Sequence, residues 1–171
     1  MRKLLSLALL ATAATACHAI VFPSAPFPPT STENFDSYVA GGYISHPVFG
    51  GLGVASRIGV QGALQIGPPS PFLSGPNGMF GRGVDVNIAI NGQRRRFGGG
   101  FHNVAAGIPF ATMVKFRFFT ASNVLIGTGT APVTGAWSWI GWVTIPKWSR
   151  VEIYGNSPLP GYVAMDNLRM R

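Results

Sequence analysis

Acidic residues are scarce in this chain: five Asp and Glu stand against thirteen Lys and Arg, and only 11% of the 171 residues are charged. Histidine occurs three times and cysteine once, at Cys17. No stretch keeps helical spacing of apolar residues for more than about two turns, so a substantial helix is not expected. No G-x-S-x-G or H-E-x-x-H pattern is present. A glycosidase needs two acids flanking a cleft, and Asp85 and Glu152 are the only candidates for them. His102 follows a run of glycines and reads as a strand-end residue rather than a catalyst. These absences exclude most metal, thiol and acid–base chemistries, and the expectation is a protein that is not an enzyme.

The N-terminus is the first positive signal. Arg2 and Lys3 precede the short apolar run Leu4–Ala14, and small residues follow, with cleavage points after Ala16 or Ala19. The run is shorter than the roughly 20 residues a membrane-spanning helix needs. Residues 1–19 therefore read as an export signal, and the expected location is secreted or periplasmic, with no transmembrane segment in the mature chain. Cys17 falls inside this region. Lipid attachment there is the lesser alternative, because Ala14 is a poor match to the large aliphatic residue such signals carry. The mature chain then has no disulfide and must hold together by burial. Without Arg2 and Lys3, eleven basic residues face five acids, a net charge of +6. That bias favours anionic partners such as acidic polysaccharide.

The rest of the chain is punctuated by 23 Gly and 14 Pro. Residues 20–32, IVFPSAPFPPTST, read as an extended proline-rich leader. A single domain follows over 33–171. DVNIAI alternates apolar Val86, Ile88 and Ile90 with Asp85 and Asn87, and Asn91-Gly92 signals a hairpin returning through QRRRFGGGF. MVKFRFF, VLIGTGT, WSWIGWVTI, RVEIYG and YVAMDNLRM continue the pattern, with weaker candidates in ENFDSY, SRIGVQ and ALQIG. About eight to ten short strands between turns predict an all-β antiparallel sandwich.

Several local motifs carry a resemblance. ENFD (33–36) and GYVAMDNLRM (161–170), with SGPNGMFG, ASNVLIGTG and AWSWIGWVTIPKWSRVEIYG between them, resemble secreted bacterial jelly-roll domains of the galactose-binding-like and carbohydrate-binding-module-like kind. They are also similar to domains of exported proteins carrying a PEP-CTERM sorting tail. Such a tail is missing after Arg171, so release rather than surface sorting is expected. The resemblance implies a jelly-roll β-sandwich and a structural calcium held by an acid of the first strand and one of the last. Carried to this chain, those ligands are Asp36 and Asp166, with Glu33 in reserve. The competing reading has Asp166 accept hydrogen bonds from backbone amides or an arginine, Arg150 or Arg169.

All four tryptophans lie within residues 137–148. Alternation puts Trp137, Trp139, Val143 and Ile145 on one face and Ile140 and Trp142 on the other. Since Val143 and Ile145 lead toward Val151 and Ile153, the odd face is expected to be the core. Trp142 would then point outward and Trp148 would sit in a turn, where either ring could stack on a sugar. The alternative is that both rings pack, in the core or under the leader. Arg94, Arg95 and Arg96 should alternate across their strand and form no one-sided patch. Arg94 and Arg96 share a face, to which Lys115 and Arg117 could add, either holding an acidic glycan or forming a solvated face.

The sequence reading is thus an exported, non-catalytic binding module for an extracellular glycan, with the net charge favouring an acidic one, or for another cell-envelope component, through Trp142, Trp148, Arg94, Arg96 and Asn103. The second reading is a structural or matrix-associated protein acting through protein contacts. Nucleic acid is disfavoured by export and by the lack of a basic stripe interleaved with exposed aromatics.

Overall fold

The computed structural model describes residues 19–59, 62–67, 77–82, 85–103, 112–156 and 161–171. The expected signal through His18, including Cys17, lies outside them. Twelve strands are found among the described residues: β1 (Ile20–Pro23), β2 (Ser31–Glu33), β3 (Gly41–Tyr43), β4 (Ser45–Val48), β5 (Gly53–Ile58), β6 (Ala63–Gly67), β7 (Gly78–Arg82), β8 (Asp85–Asn103), β9 (Met113–Phe119), β10 (Leu125–Pro132), β11 (Ser138–Gly155) and β12 (Gly161–Met170). Every pairing is antiparallel. The protein is an all-β sandwich, as the alternation indicates. Among the described residues no helix is long and apolar enough to cross a membrane.

Two strands longer than the rest organise the layers. β8 and β11 pair with each other along most of their length, but the register breaks between Val143 and Trp148, opposite Arg96 and Arg94. Before the break on β11, one layer runs β1–β11–β8–β12, with β7, β6 and β3 beyond β12 and β2 on the end of β12. After it, the other layer runs β10–β9–β11–β8–β5–β4. The adjacency of β2 and β12 brings the first and last strands of the domain together, through Glu33 opposite Leu168.

The hairpin expected at Asn91-Gly92 does not form. β8 runs straight through it, with Gly92 at φ 86°. Both halves of β8 have the same long partner, so the local turn preference yields to a ladder that a reversal would destroy. The glycine instead lets the strand bend toward the corner where it passes between layers.

Between the layers lies one core. Phe97 and Phe101 of the first layer meet Phe116 of the second at ring separations of 6.3 and 5.3 Å. Val86, Ile88, Val114, Phe118, Val151, Ile153, Met165 and Leu168 complete it, each no more than 2% exposed. Register with Phe97 and Phe101 decides which face of β11 is buried. Trp142 opposes Phe97, so the even positions point inward. The expected face assignment is therefore reversed over the first half of β11. Trp142 is 5% exposed and packs on Phe116, while Trp148 is fully buried against Phe97 and Phe118.

Candidate functional site on the outer face of the first layer

Trp139 opposes Gly100, Gly141 opposes Gly98 and Asp166 opposes Gly100. Opposed residues share a face, so the outer face of the first layer carries Trp137 and Trp139 from β11 and its approach, Arg96, Gly98 and Gly100 from β8, and Asp166 from β12. The β11 backbone and the Trp139 ring exclude a side chain at Gly98, and the Trp137 ring crowds one at Gly100. A β-carbon at Gly98 would lie 2.7 Å from Trp139 Cζ2, and one at Gly100 would lie 3.3 Å from Trp137 Cε3. Both indoles therefore lie close over a floor without side chains. Trp137 keeps 37% of its surface exposed.

The proline-rich leader crosses this face. Its β1 pairs with β11, the Ser24 amide donates to the Gly141 carbonyl at 2.8 Å, and the Thr30 amide donates to Met170 at 2.9 Å. In between, Phe27 is 2% exposed and meets Trp139 edge-on at 5.7 Å. The Arg96 guanidinium lies 5.6 Å from the Phe27 ring centre and that of Arg169 5.4 Å from Trp139. Trp139 also donates its indole N–H to Ser24. The leader thus covers Trp139 and leaves Trp137 open on one side, and on the other it ends at the corner where β8 and β11 change layers.

That corner is cationic. A cavity of about 440 Å³ is lined by Gln93, Arg94, Arg95, Arg96, Lys147 and Arg171. The expectation that three successive arginines diverge is corrected here. Opposite Arg95, β11 carries four residues between its pairings at Val143 and Trp148. The amides of Arg95 and Arg96 turn instead to the Arg171 carbonyl, at 2.7 and 2.8 Å. The bulge gathers side chains that a regular strand would separate. The expected partners Lys115 and Arg117 do not join them. They lie on β9 in the other layer, where Arg117 pairs with Glu152 at 3.2 Å.

The other sequence-predicted residues are placed as follows. Trp148 offers no surface to a ligand, and Trp142 reaches the exterior only as a wall of a small apolar cleft of about 290 Å³ that also includes Pro23, Pro132 and Trp139. Asn103 is buried, and its amide donates to Thr134. Trp137, missed as a surface ring, was detectable only through register with Phe97 and Phe101. Neither face of β11 is polar enough to reveal it.

The acids of the first and last strands converge. Burial pushes Asp166 from the usual 3.8 up to about 6; the Asn167 amide pulls the other way, and the charges of Asp36 and Glu33 raise it further. Glu33 is buried and accepts from the Phe35 and Phe49 amides and the Tyr38 hydroxyl. Asp36 accepts from Asn34, and both Asp166 oxygens accept from Asn167. Calcium takes six to eight oxygens. Among the described residues no group of three or more His, Cys, Asp or Glu is assembled to hold a metal.

No protein-family model and no curated protein matches the chain. Solved structures do. A CBM22-1 xylan-binding domain from Paenibacillus barcinonensis is 10% identical at a TM-score of 0.50, over 81% of this chain and 92% of that one. The K2 cleaved adhesin domain of Lys-gingipain is 15% identical at 0.50, over 82% and 96%. An arabinose-bound α-L-arabinofuranosidase is 12% identical at 0.49, and this chain spans 27% of its length. At these identities the likeness is one of fold: the chain has the sandwich architecture of carbohydrate-binding modules.

Proposed function

We propose that the protein is an exported, non-catalytic module that binds an extracellular acidic glycan on the outer face of its first layer. The observation that carries this reading is Trp137, an exposed indole laid over Gly100 beside Asp166, on the same face as Arg96. A sugar ring has an apolar C–H face and a polar rim, and an open indole flanked by hydrogen-bonding groups is complementary to both. The basic corner, roughly 16 Å farther along β8 at 3.3 Å per residue, supplies charge for carboxylates or sulfates of the same chain. The xylan-binding domain of like fold supports a glycan as the kind of ligand, without bearing on its charge.

A non-catalytic role is supported by how the acids and histidines are used. Asp85 accepts from the Gly155 amide, and Glu152 is held by Arg117, Arg150 and Tyr154. His102 is buried, and His46 meets Tyr38 and Tyr43 edge-on. The sequence supports export through residues 1–19. A glycan array tests the reading: wild type binds acidic oligosaccharides, and Trp137→Ala loses that binding while its circular dichroism is unchanged. A silent array, with self-association in sedimentation, would replace this reading with a structural role.

A further inference from the structure

Five cationic residues line one hollow, and no acidic side chain lines it with them. All five acids of the chain are described: Glu33, Asp36, Asp85, Glu152 and Asp166. None of them lines the corner cavity. The two ion pairs among the described residues both end on Glu152, on the far layer. Arg95, Lys147 and Arg171 are exposed, Arg94 and Arg96 half-buried. Among the described residues Arg94 donates only to the neighbouring Gln93 carbonyl. Like charges gathered this closely repel one another, and a fold under no other demand would spread them or interleave acids. The bulge does the reverse, gathering three successive arginines and Lys147 around one hollow.

The size and charge of the hollow narrow its ligand. Sites of roughly 300–1,000 Å³ hold a molecule of drug size, and 440 Å³ is room for about one or two sugar residues. A uronic acid chain brings one carboxylate per residue, so it would answer at most two of five positive charges. A sulfated sugar brings several anions per residue, each with three oxygens that accept the forked donors of arginine. We propose that the corner formed by Arg94, Arg95, Arg96, Lys147 and Arg171 is a binding site for sulfate esters, and that the glycan recognised is a sulfated one. This inference rests on the glycan reading above and specifies its ligand.

Heparin and its fully desulfated, re-acetylated form share a backbone and its carboxylates, and titration calorimetry of the intact protein at 0.15 M salt compares them. Heparin should bind at least ten-fold more tightly. Arg94→Gln with Lys147→Gln should lose at least ten-fold of heparin affinity. A charge-matched control on other strands, Arg57→Gln with Lys115→Gln, should lose less than three-fold. Equal affinity for the two polymers overturns the sulfate assignment and leaves acidic-glycan binding standing. Equal losses in the two double variants reduce heparin binding to net charge and overturn the site. If heparin does not bind while the array shows another ligand, the corner assignment falls and the Trp137 reading survives. Circular dichroism and melting temperature confirm that each variant is folded.

Discussion

The two halves of β11 display opposite solutions to the same problem, an outward-facing row of large and charged side chains. In the second half, Arg150, Glu152 and Tyr154 face out. Glu152 accepts from Tyr154 and Arg150 and pairs with Arg117, Arg150 also reaches Asn87 and Asn123, and its guanidinium lies 3.6 Å from the Phe119 ring centre. Burial alone would raise the Glu152 carboxyl, but hydrogen bonds from Tyr154 and Arg150 and the charges of both arginines outweigh it and hold it below the usual range. In the first half and at the break, the outward groups are Trp137, Trp139 and Lys147, with Asp166 on the same face and no acidic side chain lining the arginine corner. One region satisfies itself; the other is left with unmet valence, and that is where a ligand is expected.

The comparison can be broken in four places. The largest effect separates inward from outward rings: Trp148→Ala should destabilise by about 3–5 kcal/mol as a core deletion, and Trp137→Ala by about 1 kcal/mol or less. Chemical denaturation measures both, and similar losses would void the face assignment. Next, Glu152→Gln removes the negative charge and one of the two acceptor oxygens shared by Arg117, Arg150 and Tyr154 and should cost roughly 1–3 kcal/mol, with a loss far smaller than that meaning the network is ornamental.

Third, pH separates the two acids. Asp166 is raised when folded, so between pH 4 and 6 the folded state binds the extra proton and stability falls as pH rises, levelling above about 6. Glu152 is depressed, so its contribution is present at neutral pH and is lost only as the pH drops through its folded value. Asp166→Asn should flatten the pH 4–6 slope in thermal melts. A calcium ion on Asp166 would lower its pKa instead, so a slope that appears only with chelator would show calcium bound there. The smallest effect is ionic: screening the corner by raising salt from 0.05 to 0.5 M should stabilise wild type by roughly 0.5 kcal/mol, and Arg95→Gln should respond less.

Much of the architecture was legible because alternation is a local property. Val86, Ile88 and Ile90, and Val114, Phe116 and Phe118, declare their buried faces against polar neighbours. The first residue of ENFD, Glu33, pairs with Leu168 of AMDNLRM, while Asn34 to Asp36 leave the strand. The candidate site was not legible in the same way. WSWIGW is apolar at both parities, so alternation carries no sign there. At Asn91-Gly92 a strong turn signal lost to pairing with residues some fifty positions away. The arginine triplet alternates on paper, and only the unequal lengths of chain on the two sides of the bulge gather it.

The sequence by itself determined a β-sandwich with one core, an excess of base over acid, and rings too numerous for one face of one strand. Those follow from composition and from the two-residue period of extended backbone. Which tryptophans are buried, and whether the basic residues disperse or converge, was decided by the register of β11 on β8 and by the break within it. A register is a relation between distant segments, set by the packing of Phe97, Phe101 and Phe116 across the layers, and no window of neighbouring residues contains it.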